Sequence, residues 1–173
     1  MNTSELITLF HNNHIELANY VNALPDDQFL YSKNGKWTAG QQVSHVYLCL
    51  LPISKALASK EFLIQKFGKI ERPLWDYDTV LANYKVALAN GGKAPEKFLP
   101  EAVLPEAKKE LTEELRQILD SIQQQLSGYS EEELDTIVMP HPLLGIMTVR
   151  EMFYLMAYHA IHHLKQTEQN LPA

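Results

Sequence analysis

Apolar residues recur every three to four positions in four long stretches of this chain, and turn-forming residues separate the stretches. The first runs from about Ser4 to Leu24, with Leu6, Ile7, Phe10, Leu17, Ala18 and Val21 on one stripe, and ends before Pro25-Asp26-Asp27. The second begins at Thr38, where Thr38-Ala39-Gly40-Gln41 has the capping-box form of a threonine with glutamine three positions on. It is expected to reach about Phe67, with Gly68 as its stop. A kink or break is expected at Pro52, whose ring removes one backbone donor and frees the carbonyl of Leu48. The third spans roughly Pro105 to Leu126, starting on a proline at a favoured first-turn position and stopping at Gly128. The fourth starts at a second capping box, Thr148-Val149-Arg150-Glu151, and runs to about Gln169. Between the second and third, residues 69–104 read as irregular, with one short helix from about Tyr77 to Asn90 ended by Gly91-Gly92. Strand signals are weak throughout. The pattern predicts an all-α fold in one domain over residues 1–173, a four-helix bundle with an insertion containing a short helix between helices 2 and 3.

Composition agrees with a folded chain: of 173 residues, 46% are hydrophobic and 21% charged, which excludes the low hydrophobicity and high charge of disorder. Fifteen Lys+Arg against 21 Asp+Glu give a net charge of −6, the wrong balance for a nucleic-acid binder, which needs a dense basic footprint. The longest apolar run, Val46 to Ile53, is far shorter than the ~18–20 residues that span a bilayer, so no membrane partner is expected. The N-terminus lacks the charged start and unbroken apolar core of a signal peptide, and a cytoplasmic location is expected. The single cysteine, Cys49, excludes an internal disulfide and any Cys-rich zinc or iron–sulfur motif.

The departure from an ordinary composition is histidine. There are seven, and three of them, His159, His162 and His163, crowd onto the fourth helix. At ~100° per residue, Val149, Met152, Phe153, Met156, Ala160 and Leu164 form a broad apolar stripe. His163 falls inside it, His159 at its edge and His162 further out. His159 and His163 are four apart, so both imidazoles face the bundle interior one turn from each other. Each brings a nitrogen that costs ~1–3 kcal/mol if left without a partner. A divalent metal satisfies both at once, although a His-x-x-x-His pair also arises by chance and core histidines are commoner than ligands. His45, in an otherwise apolar part of helix 2, is a candidate third ligand. Its plainer role is a core histidine bonded to a backbone carbonyl.

Trp37-Thr38-Ala39-Gly40-Gln41-Gln42-Val43-Ser44-His45-Val46 resembles the first signature of the DinB-like family, a capped helix with a ligand histidine in its second turn. The segment from His141 to Glu151 is similar to the loop and cap before that family's last helix, and His159-Ala160-Ile161-His162-His163-Leu164-Lys165-Gln166 to its closing His-rich signature. The resemblance implies a four-helix bundle, often a homodimer, that binds a divalent transition metal, commonly zinc or nickel. Carried onto this chain, the implied ligands are His45, His159 and His163. The family includes thiol S-transferases acting with low-molecular-weight thiols, proteins described as metal-dependent hydrolases, and an isomerase branch, so the expected partner is a small-molecule substrate. No catalytic side chain beyond the ligands is singled out. Three protein ligands leave a position open, the pattern of a catalytic metal.

The remaining candidates have plainer readings. Cys49, one turn after His45, can reach the same metal, but a lone cysteine on an apolar helix is usually a small core residue, and as a ligand it would close the site. Gln42 and Gln166 are candidates to hold the second nitrogens of ligating histidines. Glu151 is explained by the capping box, with acid–base work as the alternative. His14 is expected in the core or the cavity wall, His141 as a loop-fixing residue or a substrate contact, and Trp37 as a staple where the chain enters helix 2. A thiol transferase for an anionic sugar-thiol would want cations at the pocket mouth, and Arg150, Lys33 and Lys36 are available near the motifs. Two other functions stand beside the enzyme: a non-catalytic metal- or ligand-binding bundle, and an interaction module whose histidines are ordinary core residues.

Overall fold

The structure, a computed structural model, describes residues 1–172. Four long helices form the bundle: α1 (Thr3–Ala23), α3 (Ala39–Leu57), α6 (Lys108–Leu126) and α8 (Val149–Asn170). Shorter α-helices are α2 (Asp26–Phe29), α4 (Lys60–Phe67), α5 (Tyr77–Ala89) and α7 (Glu131–Thr136), with 3₁₀ turns at Glu96–Phe98 and Pro105–Ala107. A two-stranded hairpin, β1 (Val138–His141) and β2 (Gly145–Thr148), precedes α8. In the bundle α1 packs mainly on α8 and α6, α3 mainly on α6, and α5 lies against α8. The apolar stripes meet in one core that includes Phe10, Leu17, Leu50, Leu115, Leu119 and Phe153.

Both predicted capping boxes are present. Thr38 and Thr148 each accept the backbone N–H three residues on, while Gln41 and Glu151 reach back to the cap. Asn2 and Ser130 make two further boxes at α1 and α7. The predicted second helix is divided, and Pro52 is not where it divides. Packing of Ile53 and Leu57 carries α3 past the proline to Leu57. The break comes where Ser59 accepts the N–H of Phe62 and caps the new helix α4.

The hairpin is the element the pattern missed. Its strands pair antiparallel from Val138 with Thr148 to His141 with Gly145, around a three-residue loop. Gly145 takes the left-handed conformation at φ +70, which such loops require at their exit. The loop is fastened by His141, whose Nδ1 accepts the N–H groups of Leu143 and Leu144, both at 3.2 Å.

Gly40 sets the approach of α3 to its neighbours. A Cβ there would lie 2.5 Å from the Phe29 ring and 2.9 Å from the Val103 side chain. Gly40→Ala is expected to cost about 1–3 kcal/mol, the usual cost of overpacking, read as a lowered melting temperature by circular dichroism.

Candidate metal centre

His45 from α3 and His159 and His163 from α8 meet in the bundle interior, 5%, 5% and 4% exposed. The His45 ring lies 5.2 Å from that of His159 and 4.8 Å from that of His163, centroid to centroid. His159 and His163 bring their Nε2 atoms 3.0 Å apart. Two nitrogens that each sit ~2.0–2.1 Å from one ion are roughly 3 Å from each other, so this spacing suits a shared metal.

The protonation pattern also suits one. The Nδ1–H of His45 donates to the Phe98 carbonyl at 2.7 Å, and the Nδ1–H of His163 donates to Gln42 Oε1. An acceptor on Nδ1 fixes the proton there and leaves Nε2 as a lone pair, the arrangement that outer partners impose on metal-binding histidines. Burial lowers the pKa of His45 and, with neighbouring histidines adding repulsion, holds His159 and His163 well below the ordinary value. All three are therefore neutral at pH 7, the form that donates to a metal.

Cys49 stands closer to this group than a core cysteine needs to. Its Sγ lies 3.6 Å from His45 Nε2, and donor atoms of His45, Cys49 and His159 all fall within 4.8 Å of one another. Burial pushes its thiol up to about 12, so without a metal it remains protonated.

A cavity of about 660 Å³ opens over the histidines. Its walls include Trp37, Phe98, Met152 and Met156, with the hairpin contributing Met139 through Leu143. Trp37, expected as a staple at the entry of the helix, also reaches the histidines. Its ring lies 4.9 Å from His45 and 6.2 Å from His163, covering two of the histidines. His141 both fastens its loop and lines the cavity, and burial lowers its pKa to about 4. His162 is half-buried at the cavity and accepts from Gln166 Nε2, at 3.0 Å.

Several candidates lie elsewhere. His14 is fully buried in the core, its Nδ1 donating to the Phe10 carbonyl and its Nε2 without a partner, and it is not among the cavity-lining residues. Arg150 is paired with Glu131 and Asp135 and borders a separate cleft, while Lys33 and Lys36 are exposed away from the cavity. Glu151 is 1% exposed and faces that same separate cleft. Tyr84 was not anticipated: it brings its ring 6.4 Å from His159 and 6.3 Å from His141 and His162. Only its spacing from Val80 on the short α5 helix hinted at burial. The Phe98 carbonyl, 53 positions from His45, carries no sequence signal at all.

A family model described as the DinB superfamily matches residues 9–167. Among solved structures, the chain is similar to YfiT from Bacillus subtilis, with a TM-score of 0.64 at 14% identity, over 97% of this chain and 85% of that one. That protein is described as "a probable metal-dependent hydrolase with an unusual four-helix bundle topology". At this identity the likeness shows the fold. No curated protein matches the chain in sequence.

Proposed function

Because the chain belongs to the DinB superfamily, we propose that it is a metal-dependent enzyme acting on a small molecule, with a divalent ion, zinc or nickel, held by His45, His159 and His163. The observation that carries this reading is the pair of anchored Nδ1–H groups, on Phe98 and Gln42, behind neutral imidazoles that line one cavity. Three histidine donors would leave a coordination position open for a substrate or water. An ion held there would supply Lewis acidity, lowering the pKa of a water or thiol bound to it. The chain's own part is to hold the imidazoles neutral and oriented, and to line the approach with Trp37, Met152 and Met156, which restrict water.

The reaction within this class is hydrolysis or thiol S-transfer. A metal-loaded preparation is assayed in parallel with ester or amide substrates and with a low-molecular-weight thiol plus an electrophile. Activity that disappears on chelation and returns with zinc or nickel supports the enzyme, whereas equal rates with and without metal count against it. The homodimer implied by the family and the cytoplasmic location expected from the sequence belong to the same reading. Sedimentation at micromolar concentration tests the dimer.

A second reading rests on Cys49. If its thiol joins the histidines, the donor set is full and the protein is a metal-binding bundle with a closed site. A nitrogen and a sulfur bound to one zinc lie roughly 3.5 Å apart, close to the observed 3.6 Å. Cobalt(II) substitution separates the readings. The open site predicts no thiolate-to-cobalt charge-transfer band in the near ultraviolet, and identical spectra for wild type and Cys49→Ser. A band that Cys49→Ser removes would establish the closed site.

A further inference from the structure

The cavity wall carries a charge pattern opposite to that of the chain. Lys66, Lys93 and Lys97 line it, and no Asp or Glu does, although acidic residues outnumber basic ones 21 to 15 overall. Among the described residues none of the three lysines has a carboxylate partner, whereas Lys60, Lys108, Arg72 and Arg150 all do. Lys66 comes from the end of α4, and Lys93 and Lys97 from the segment that leads to Phe98. The same segment therefore orients His45 and brings two of the three cations.

Away from the histidines, Gln166, Cys49 and Tyr84, the rest of the wall is apolar. Pro52, Ile53 and Ala56 of α3, Phe67 of α4 and Leu88 of α5 face Pro140 and its neighbours on the hairpin. Two of the ammonium heads sit beside aromatic rings, Lys66 Nζ 5.1 Å from the Phe62 ring centre and Lys97 Nζ 4.9 Å from that of Phe98. An ammonium held beside a ring and lacking a carboxylate partner can meet an oily body and an anion together. Cations gathered in a cleft with low-dielectric walls focus a positive potential and attract anions to an otherwise anionic protein.

We propose that the substrate of this site is an amphipathic anion: an apolar body seated between α3, α4 and the hairpin, with a carboxylate or other anionic head at Lys66, Lys93 and Lys97. The volume, about 660 Å³, is that of pockets that take small organic ligands. The proposal rests on the histidine cavity being the functional site, and it names the class of molecule that cavity accepts.

The test is calorimetric titration of zinc-loaded and metal-free protein with decanoate, decylammonium and acetate. The same titrations are run on Lys66→Gln/Lys93→Gln/Lys97→Gln, which replaces rim side chains only. Decanoate is expected to bind at least about tenfold more tightly than decylammonium or acetate, since only it offers both body and head. Exposed ion pairs weaken by up to roughly fivefold each when broken, so the triple variant is expected to lose about tenfold or more. Raising the salt to about 0.5 M should weaken wild-type binding in the same direction. Decanoate binding that needs zinc and ignores both the lysines and salt would place the carboxylate on the metal and overturn the proposal, as would equal binding of decanoate and decylammonium. If the protein takes up no metal yet binds decanoate through the lysines, this inference stands and the metalloenzyme reading falls.

Discussion

Lowering the pH of the metal-free protein from 7 towards 4 is expected to unfold it cooperatively. His14 is fully buried and its pKa is lowered by burial from the ordinary 6.5 to about 4, and that of His141 is lowered similarly. His45, His159, His162 and His163 are shifted in the same direction. The unfolded chain takes up these protons as the pH falls through about 6.5, while the folded chain takes up those of His14 and His141 only near 4 and the others below their ordinary range. Stability contributed by the neutral imidazoles is thus complete above about 6.5 and is lost progressively as the pH falls, with the share of His14 exhausted near 4. Each pKa unit corresponds to about 1.4 kcal/mol, so His14 alone accounts for about 3 kcal/mol of that loss. Single domains have only about 5–15 kcal/mol in total, so His14 and His141 together already remove a large share of it. Circular dichroism against pH checks this, and His14→Leu should move the midpoint to lower pH. A midpoint unchanged by that replacement would remove His14 from the account.

The second large effect is expected at Glu151. Its carboxylate accepts from Arg72 Nη1 and Nη2 at 2.9 and 2.7 Å, from the Trp75 N–H at 2.7 Å and from the Thr148 N–H at 2.9 Å. Arg72 in turn lies 3.4 Å over the Trp75 ring. One side chain thereby caps α8 and fastens the segment before α5 to it. Glu151→Ala leaves a guanidinium and two N–H groups without their acceptor, and removing one member of a buried ion pair costs about 3–5 kcal/mol. Glu151→Gln keeps an acceptor for the cap and is expected to cost less. Because Glu151 faces away from the histidine cavity, both variants should retain the full metal content when folded. A Glu151→Gln protein of wild-type stability that is inactive would instead return Glu151 to the chemistry.

The sequence was readable where one element decides the outcome. Helical spacing placed Leu6, Phe10 and Leu17 on one face of α1, and the two threonine capping boxes located the starts of α3 and α8 to the residue. The inward faces of His159 and His163 followed from the same spacing. What was illegible depends on distant segments. The hairpin has short strands and a turn around Pro142 and Gly145 that also suits a plain loop. The burial of Ile53 and Leu57 that carries α3 through Pro52 comes from tertiary packing, and no local rule reports it. Gln42 is adjacent in sequence to the His45 turn but serves His163 on another helix, while His45 relies on a carbonyl of the insertion. The cations of the cavity come from α4 and that insertion, where proximity to the motifs had pointed to Arg150, Lys33 and Lys36.

The central claim is a metal held by three particular histidines, and the most direct measurement is elemental analysis of the purified protein without a histidine tag. Wild type, His45→Ala, His159→Ala, His163→Ala and His162→Ala are each incubated with zinc or nickel, dialysed and analysed. The account predicts about one transition-metal ion per chain in wild type and His162→Ala, and its loss in the other three. Wild type that retains no metal, or equal loss in His162→Ala and His163→Ala, would contradict it.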